Sequence, residues 1–217
     1  MAALSVTLNE QFLVSVATDA FDLVDVSVSG DVMGPEHAIL RVSAGSYPDG
    51  QASTYLIWED ERPLVPGDVV TVRFLAKGTT SRCGKTIDEL YADEPEPKPP
   101  EPFATPEQMV AELKQRPRRF ASLAFEFVAA DGTTSQVETT PEEHGFGFTV
   151  LWDKFRSETV RAAVHSYTLD SLITKENGKY YANSRLTYGQ GVSFIVREAP
   201  NSTVERDARK DGARSSL

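Results

Sequence analysis

Residues 94–102 read Glu94-Pro95-Glu96-Pro97-Lys98-Pro99-Pro100-Glu101-Pro102, so five prolines fall within nine residues. Proline lacks a backbone N–H donor and fixes φ, so such a run cannot enter the interior of a helix or a sheet. It is typical of an extended polyproline spacer whose backbone is solvated. The stretch therefore predicts a linker over residues 93–104 that joins two domains.

Both flanks of this linker are dominated by short apolar segments with a period of two residues, the pattern of half-buried β-strands. The clearest segment is Leu23 to Ser29, in which apolar residues alternate with aspartate or serine. Similar segments cover 11–17, 38–43, 54–59 and 69–76 before the linker, and 120–129, 135–139, 146–152, 179–186 and 192–197 after it. The pattern predicts an α+β fold that is dominated by antiparallel strands.

Helices are predicted at two places only. Thr105-Pro106-Glu107-Gln108 combines an N-cap threonine, a proline at the first helical position and a glutamine at the capping-box position, so a helix of about ten residues should begin there. Thr86-Ile87-Asp88-Glu89 predicts one helical turn just before the linker. We therefore expect two small domains: an acidic β-rich domain over residues 1–92, and a β-rich domain over 105–199 that opens with a helix.

Three further segments complete the expected organisation. Residues 158–167 fit helical spacing and strand spacing about equally well. Asn177-Gly178 predicts a hairpin turn between residues 172–175 and 179–186. Residues 200–217 contain one large aliphatic residue, Val204, before the terminal Leu217, which is too few to offset the entropy of ordering. The segment 200–217 is therefore predicted to be a disordered tail.

Two pairs of landmarks raise the hypothesis that the halves are distant copies of each other. Residues 55–60 and 149–154 each read as a strand that ends in tryptophan followed by an acid, at Trp58 and Trp152. Residues 64–73 and 186–195 each pass through a glycine into a strand. Trp58 lies 9 residues before Gly67, whereas Trp152 lies 37 residues before Gly189. Duplication and chance resemblance both stay open on this evidence.

The charge of the chain is distributed unevenly. Residues 1–104 contain 17 Asp and Glu against 7 Lys and Arg, and residues 105–217 contain 15 of each, so the formal charge of −10 belongs to the first half. Because phosphate contacts depend on Lys and Arg, this balance argues against a nucleic-acid partner. It favours a basic protein as the partner, although acidity also serves solubility alone.

Cysteine content and hydropathy point to a cytoplasmic protein that does not interact with membranes. Cys83 is the only cysteine, so no disulfide can form within the chain and a zinc site built from cysteines is excluded. The first residues lack the basic and apolar regions of a secretory signal. No run of about 18 apolar residues is long enough for a membrane span.

Catalytic motifs are absent at the level of sequence. None of the three histidines belongs to a compact ligand motif, and no phosphate-binding glycine loop or nucleophile elbow occurs. The residues that could assemble a dispersed acid–base or metal site are Glu142, Glu143, His144 and His165. No catalytic residue, metal site or cofactor is predicted.

The strongest interaction feature is an acidic run beside a tryptophan. Trp58-Glu59-Asp60-Glu61 places an aromatic side chain next to three carboxylates at the end of a predicted strand. Together with Asp22 and Asp25, and with Asp19 and Asp31, these residues could form an acidic rim for a basic partner. The alternative is that Trp58 belongs to the core and that the charges are a solvated face.

These observations favour a non-enzymatic protein that binds another protein. Its most concrete form is a cytoplasmic bacterial immunity or inhibitor protein whose acidic surface covers a basic toxin. One alternative is a two-domain adaptor or scaffold in a phage- or secretion-related assembly. The other is an enzyme with a dispersed site.

Overall fold

The computed structural model describes residues 1–93, 104–174 and 178–199. The predicted linker, apart from Asp93 and Ala104, lies outside the described residues, as do the predicted tail 200–217 and Asn177 of the predicted hairpin turn.

The described strands are β1 (Ala3–Leu8), β2 (Gln11–Ala17), β3 (Leu23–Asp31), β4 (Ala38–Ser46), β5 (Thr54–Leu64), β6 (Val69–Leu75), β7 (Ala124–Val128), β8 (Thr134–Glu138), β9 (Gly145–Asp153), β10 (Val160–Tyr167), β11 (Tyr180–Leu186) and β12 (Gly191–Arg197). The helices are α1 (Ile87–Leu90), α2 (Pro106–Leu113) and α3 (Leu169–Thr174). The predicted β-dominated α+β class is confirmed.

The strands form two antiparallel sheets of six strands, and each sheet contains strands from both halves of the chain. The first sheet has the order β2-β1-β6-β12-β7-β8, and the second has the order β11-β10-β9-β3-β4-β5. At the centre of the first sheet β6 pairs with β12, and at the centre of the second β3 pairs with β9. The two sheets pack face to face, and Phe146 of β9 stacks on Phe194 of β12 with ring centroids 5.3 Å apart.

The expected division into separate domains, 1–92 and 105–199, is therefore wrong for this fold. Each central strand finds its pairing partner in the other half of the chain, so neither half contains a complete sheet. One continuous core includes Val26 and Phe74 from the first half with Phe148 and Phe194 from the second. A proline-rich stretch excludes regular structure within itself, but it does not prevent the segments on either side from pairing with each other.

The strand order reveals an internal pseudo-twofold symmetry. If β1–β6 are matched in order with β7–β12, each sheet reads the same from both ends. The registers agree with this match at a nearly constant offset. Ala38 pairs with Leu64 and Val160 pairs with Leu186, so both members differ by 122. Ser193 pairs with Thr71 at the centre of the first sheet, where their hydroxyl oxygens are 2.8 Å apart.

Backbone hydrogen bonds outside the strand ladders repeat at an offset of 122 in three cases and of 121 in a fourth. At the turns, the bond from Gly67 N–H to Val196 O (2.9 Å) corresponds to the one from Gly189 N–H to Phe74 O (2.7 Å), and Asp22 N–H to Gly45 O (2.8 Å) corresponds to His144 N–H to Tyr167 O (2.8 Å). Between the halves, Lys154 N–H to Asp22 O (2.9 Å) corresponds to Val32 N–H to His144 O (3.0 Å). Beside the outer strands, Thr18 N–H to Ala2 O (3.0 Å) corresponds to Thr139 N–H to Leu123 O (2.9 Å). Equivalent turns and loops of the two halves therefore share their backbone hydrogen bonding. The chain is built from two interleaved copies of one six-strand unit.

One of the two sequence landmarks for duplication corresponds in the structure. Residues 64–73 and 186–195 are the equivalent β5–β6 and β11–β12 turns, and Gly67 and Gly189 both adopt positive φ (100° and 85°). The tryptophan landmark does not correspond, because Trp58 lies on β5 and Trp152 lies on β9, which is the counterpart of β3. Positive φ explains why glycine occurs at both turns.

The structure adds one strand, decides one alternative that the sequence left open, and corrects one predicted segment. Ala3–Leu8 forms an interior strand, between β2 and β6, that the sequence analysis did not predict. Residues 160–167, which fit two periods, form β10, since the neighbouring strands β9 and β11 supply its hydrogen bonds. Residues 172–174 belong to α3 rather than to a strand of a hairpin. Tertiary pairing, which local periodicity does not report, decides the first two.

Residues 78–85, here called the strap, connect the outer edges of the two sheets on the first-half side. The strap contacts β2 through Thr80 and Ser81, whose hydroxyl oxygens accept hydrogen bonds from Ala17 N–H and Ser15 N–H, both at 3.1 Å. At its other end Lys85 exchanges two backbone hydrogen bonds of 2.8 Å with Ile57 of β5. The strap therefore covers both strand edges on this side, and α1 follows directly after it.

Candidate functional site

The predicted acidic rim is centred on a tryptophan that belongs to the core. Trp58 is 7% exposed and packs edge-on against Phe21 with ring centroids 5.6 Å apart. Its indole N–H donates to the carbonyl oxygen of Arg82 in the strap at 2.8 Å. A side chain held in this way is unavailable as a contact for a partner.

Glu59 is also buried, and two arginines compensate its charge. The Nε of Arg62 lies 2.6 Å from the carboxylate, and the guanidinium of Arg82 contacts the other carboxylate oxygen. Arg82 also donates to the carbonyl oxygen of Trp58 at 2.7 Å. Glu59 therefore anchors the strap to β5 and contributes little negative potential to the surface.

The other predicted rim residues are divided between paired and exposed positions. Asp60 accepts hydrogen bonds from Arg41 (2.9 Å) and from the hydroxyl group of Tyr91 (2.5 Å). Glu61, whose side chain is 67% exposed, lies 3.7 Å from Arg41 and is the carboxylate of the run that faces solvent. Its φ of 49° marks a local irregularity of β5 that turns the side chain outward.

Asp22 and Asp25 do not join this surface. Asp22 forms an ion pair with Lys154 at 2.7 Å, and this hydrogen bond, with a second one from the Tyr47 backbone, holds the pKa of the carboxyl below its ordinary value. Asp25 lies in β3, where burial raises the pKa of its carboxyl group. The structure therefore does not assemble the six predicted residues into one free acidic rim.

An exposed surface does form next to this run, where α1 packs on β5. Ile87 is 54% exposed and Tyr91 is 40% exposed, and they lie four residues apart on one face of the turn. Tyr91 is held by its hydrogen bond to Asp60, while Glu61 and Asp88 supply carboxylates around it. We call Glu61, Ile87, Asp88 and Tyr91 the α1 surface. It combines exposed apolar and aromatic area with acidic side chains, as protein-binding surfaces do.

The sequence analysis did not identify Ile87 and Tyr91. The capping box at Thr86 did indicate the helical turn, and the structure confirms both of its hydrogen bonds. A turn of four residues cannot bury an apolar side chain on each face, and none of the α1 residues is buried. The spacing of four residues between Ile87 and Tyr91 on such a short turn was therefore the signal in the sequence for an exposed apolar site.

The residues of the enzyme alternative do not converge. Glu143 is buried and accepts hydrogen bonds from Tyr181 (2.8 Å), from Thr140 N–H (2.7 Å) and from Ser166. His165 is the residue directly before Ser166 in β10, so its side chain lies on the opposite face of the sheet. There it contacts Tyr180, with ring centroids 5.7 Å apart. Glu142 is exposed.

Glu143 and His144 have a structural explanation in the loop before β9. His144 Nδ1 accepts the backbone N–H of Leu169 at 3.3 Å, and Arg118 donates to the carbonyl oxygen of Glu143 at 3.0 Å. These contacts tie the loop to the start of α3 and to the segment after α2. Within the described residues, no three His, Cys, Asp or Glu side chains lie close enough to hold a metal ion.

Replacing Glu143 with glutamine should destabilise the protein at neutral pH and change its acid sensitivity. Burial acts to raise the pKa of Glu143, but hydrogen bonds from Ser166, Thr140 and Tyr181 outweigh it and leave the pKa below the ordinary 4.5. The carboxylate therefore stabilises the fold above pH 4.5, and this stabilisation is lost as pH falls through the native pKa.

For Glu143→Gln we expect the free energy of unfolding at pH 7 to fall by about 1–3 kcal/mol, since one buried acceptor arrangement is disrupted. Urea unfolding between pH 7 and pH 3 should show the two proteins converging at low pH. Glu112→Gln, at an exposed position of α2, is the matched control and should follow the wild type. A constant difference at every pH would contradict the role assigned to the Glu143 charge.

Comparisons of the chain with models of protein families, with curated proteins and with solved structures give no significant match. Among the described residues, no helix has the length and apolar character that crossing a bilayer requires. The function of the chain therefore has to be inferred from its own geometry.

Proposed function

We propose that this is a non-enzymatic, cytoplasmic protein that binds a basic partner protein through the α1 surface. The observation that carries the proposal is the exposed pair Ile87 and Tyr91, set among carboxylates in the half of the chain that holds the whole net charge of −10. An aromatic anchor surrounded by charge supplies both contact area and electrostatic attraction. In its most concrete form the protein is a bacterial immunity or inhibitor protein for a basic toxin.

Ion pairs within the protein decide which acidic side chains are available to a partner. Glu59, Asp60 and Asp22 are engaged with Arg or Lys inside the protein, so they cannot supply the negative surface. Of the run Trp58-Glu59-Asp60-Glu61, Glu61 remains available, and it forms the negative surface together with Asp88 of α1. Trp58 acts indirectly, because it fixes the strap that positions α1.

A scaffold or adaptor is the second candidate, and the internal duplication favours it. Two interleaved copies with the same strand order give the molecule two related ends. Such a protein could hold two partner chains at once. The stoichiometry of the native complex separates the candidates: one partner per chain supports the inhibitor, and two supports the scaffold.

Substitution of Tyr91 tests the α1 surface directly, using the protein that co-purifies from native lysate as the ligand. For Tyr91→Ala, together with Ile87→Ser, we expect affinity to fall by about 2 kcal/mol or more, since an aromatic anchor is removed. Neutralising Glu61 and Asp88 should cost only about 0.2–1 kcal/mol each and should flatten the salt dependence of association.

Phe155→Ala is the control, because Phe155 is an aromatic side chain that is 86% exposed and lies outside this surface. It should bind like the wild type. All variants should keep the wild-type melting temperature within a few degrees, because the replaced side chains are exposed. Unchanged binding by the Ile87 and Tyr91 variant would rule out the α1 surface as the interface.

A further inference from the structure

A cleft of about 180 Å³ lies on the outer face of the second sheet, over β9, β10 and β11. The residues that line it alternate along β9 and β10 with core residues such as Val150 and Val164, so they point away from the core. They are Thr149, Leu151, Arg161, Ala163, His165 and Tyr180. Pockets for drug-sized ligands measure roughly 300–1,000 Å³, so this cleft suits a smaller molecule.

A guanidinium group and an imidazole meet at one aromatic ring in this cleft. The guanidinium carbon of Arg161 lies 6.0 Å from the ring centroid of Tyr180, and the ring centroid of His165 lies 5.7 Å from the same point. Directly opposite Arg161 on β11 is a second arginine, Arg185, although like charges at such positions destabilise a strand pair. Within the described part of the chain, neither arginine forms an ion pair.

The other copy of the six-strand unit shows that the fold does not require these charges. Matching β4 with β10 and β5 with β11 at the offset of 122 gives four equivalences at the cleft: Arg161 with Ile39, His165 with Ser43, Arg185 with Pro63 and Ala163 with Arg41. Uncharged side chains therefore serve the same strand positions in the first copy. Alanine in the place of Arg41 also makes room for the cleft, which belongs to the second copy.

The surroundings of His165 contain no negative charge that would offset Arg161. Burial, and after it the charge of Arg161, lowers the pKa of His165, so the imidazole of the free protein is neutral at pH 7. From β9 it is faced by Gly147 and Thr149, which are uncharged, and from β11 by Tyr180. A Cβ added at Gly147 would lie 2.8 Å from His165 Cε1, so the imidazole lies against the backbone of β9.

We propose that this cleft binds a small organic phosphate ester. The planar guanidinium of Arg161 donates to the phosphate oxygens, whose geometry it matches. The negative charge of the bound phosphate favours the protonated form of His165, which then supplies a second donor. The organic body of the ester packs on Leu151, Ala163 and the ring of Tyr180.

The charge of the cleft selects phosphate over carboxylate. Arg161 and Arg185 together supply two positive charges, and a phosphate monoester carries about two negative charges at pH 7, whereas a carboxylate carries one. The site is separate from the α1 surface, because β11 and β5 form opposite edges of the same sheet. It therefore neither requires nor replaces the binding of a basic protein.

Isothermal titration calorimetry of the full chain with phenyl phosphate, at pH 7 and constant ionic strength, tests the proposal. Arg161→Gln should weaken binding by about tenfold or more, because charge-assisted hydrogen bonds are lost. Arg116→Gln, at an exposed position after α2, removes the same charge elsewhere and should bind like the wild type. Inorganic phosphate should bind the wild type about tenfold more weakly than phenyl phosphate, since it lacks the apolar body.

Two further measurements separate the roles of shape and charge. Ala163→Leu narrows the cleft without changing its charge, so it should reduce the affinity for phenyl phosphate to that for inorganic phosphate. Its circular dichroism spectrum shows whether the fold is kept. In NMR titrations of the wild type, phenyl phosphate should raise the pKa of His165, while the ring resonances of His37, which packs on Phe120 outside the cleft, should not respond.

Three results would each overturn the proposal. The first is the absence of both heat and a His165 response at millimolar phenyl phosphate. The second is equal affinity of Arg161→Gln and the wild type, which would place the binding elsewhere. The third is equal affinity of the wild type for the two phosphates, which would show that the cleft does not hold the organic body.

Discussion

Separate production of residues 1–92 and 105–199 is expected to give two polypeptides without a cooperative thermal transition. In the first fragment β3 loses β9 and β6 loses β12, so the central strand of each sheet becomes an open edge. The same loss affects the second fragment. Each fragment would also expose half of a core that is continuous across the halves, including Val26, Phe74, Phe148 and Phe194.

Mixing the two fragments should restore the transition, because all the described pairings become available again. The intact chain cut by a protease within residues 94–103 is the control, since that cut breaks no contact between described residues. It should keep the wild-type far-UV circular dichroism spectrum. A cooperative melt in either isolated fragment would contradict the interleaved fold.

Trp58→Ala is expected to lower the free energy of unfolding by about 3–5 kcal/mol, as large-to-small substitutions of buried aromatic residues do. The change removes the packing on Phe21 and leaves the Arg82 carbonyl oxygen of the strap without the indole donor. For a chain of this size the melting temperature should fall by roughly 6–20 °C.

Exposed Tyr91→Ala serves as the comparison, since Tyr91 lies on the α1 surface a short distance from the same strand. It should melt near the wild-type temperature. Calorimetry of both variants separates a core role from an interface role. A Trp58→Ala protein with the wild-type melting temperature would show that the tryptophan is not a structural anchor of β5 and the strap.

Local features of this fold were predictable from local sequence. The alternation in Leu23 to Ser29, the capping residues Thr86 and Thr105, and the turn at Gly67 each act within a few residues, and the structure contains each of them. Pairing across the proline-rich stretch was not predictable in this way. The residues of β3 and β9 that pair with each other are separated by 114 to 130 positions, from Asp31 with Gly145 to Leu23 with Asp153, and no local period encodes which strand lies beside which.

The candidate site was misplaced for a related reason. Trp58-Glu59-Asp60-Glu61 reads as an acidic run because neighbouring residues in the sequence offer only Arg62 as a cation. Arg41 and Arg82 come from a neighbouring strand and from the strap, and they pair with Asp60 and Glu59 only in the folded chain. Tyr91, an exposed aromatic residue that is hydrogen-bonded to this run, lies close to the linker, where the sequence predicted only a helical turn.

Cross-strand nuclear Overhauser effects test the central claim, that the two halves interleave in both sheets, most directly. The fold predicts backbone contacts between Val26 and Val150 in one sheet and between Val72 and Val192 in the other, since each pair lies directly opposite in register. In a labelled full-length sample both contacts should be present together with those between β3 and β4. A spectrum in which β3 and β6 show contacts only to strands of the first half would contradict the account.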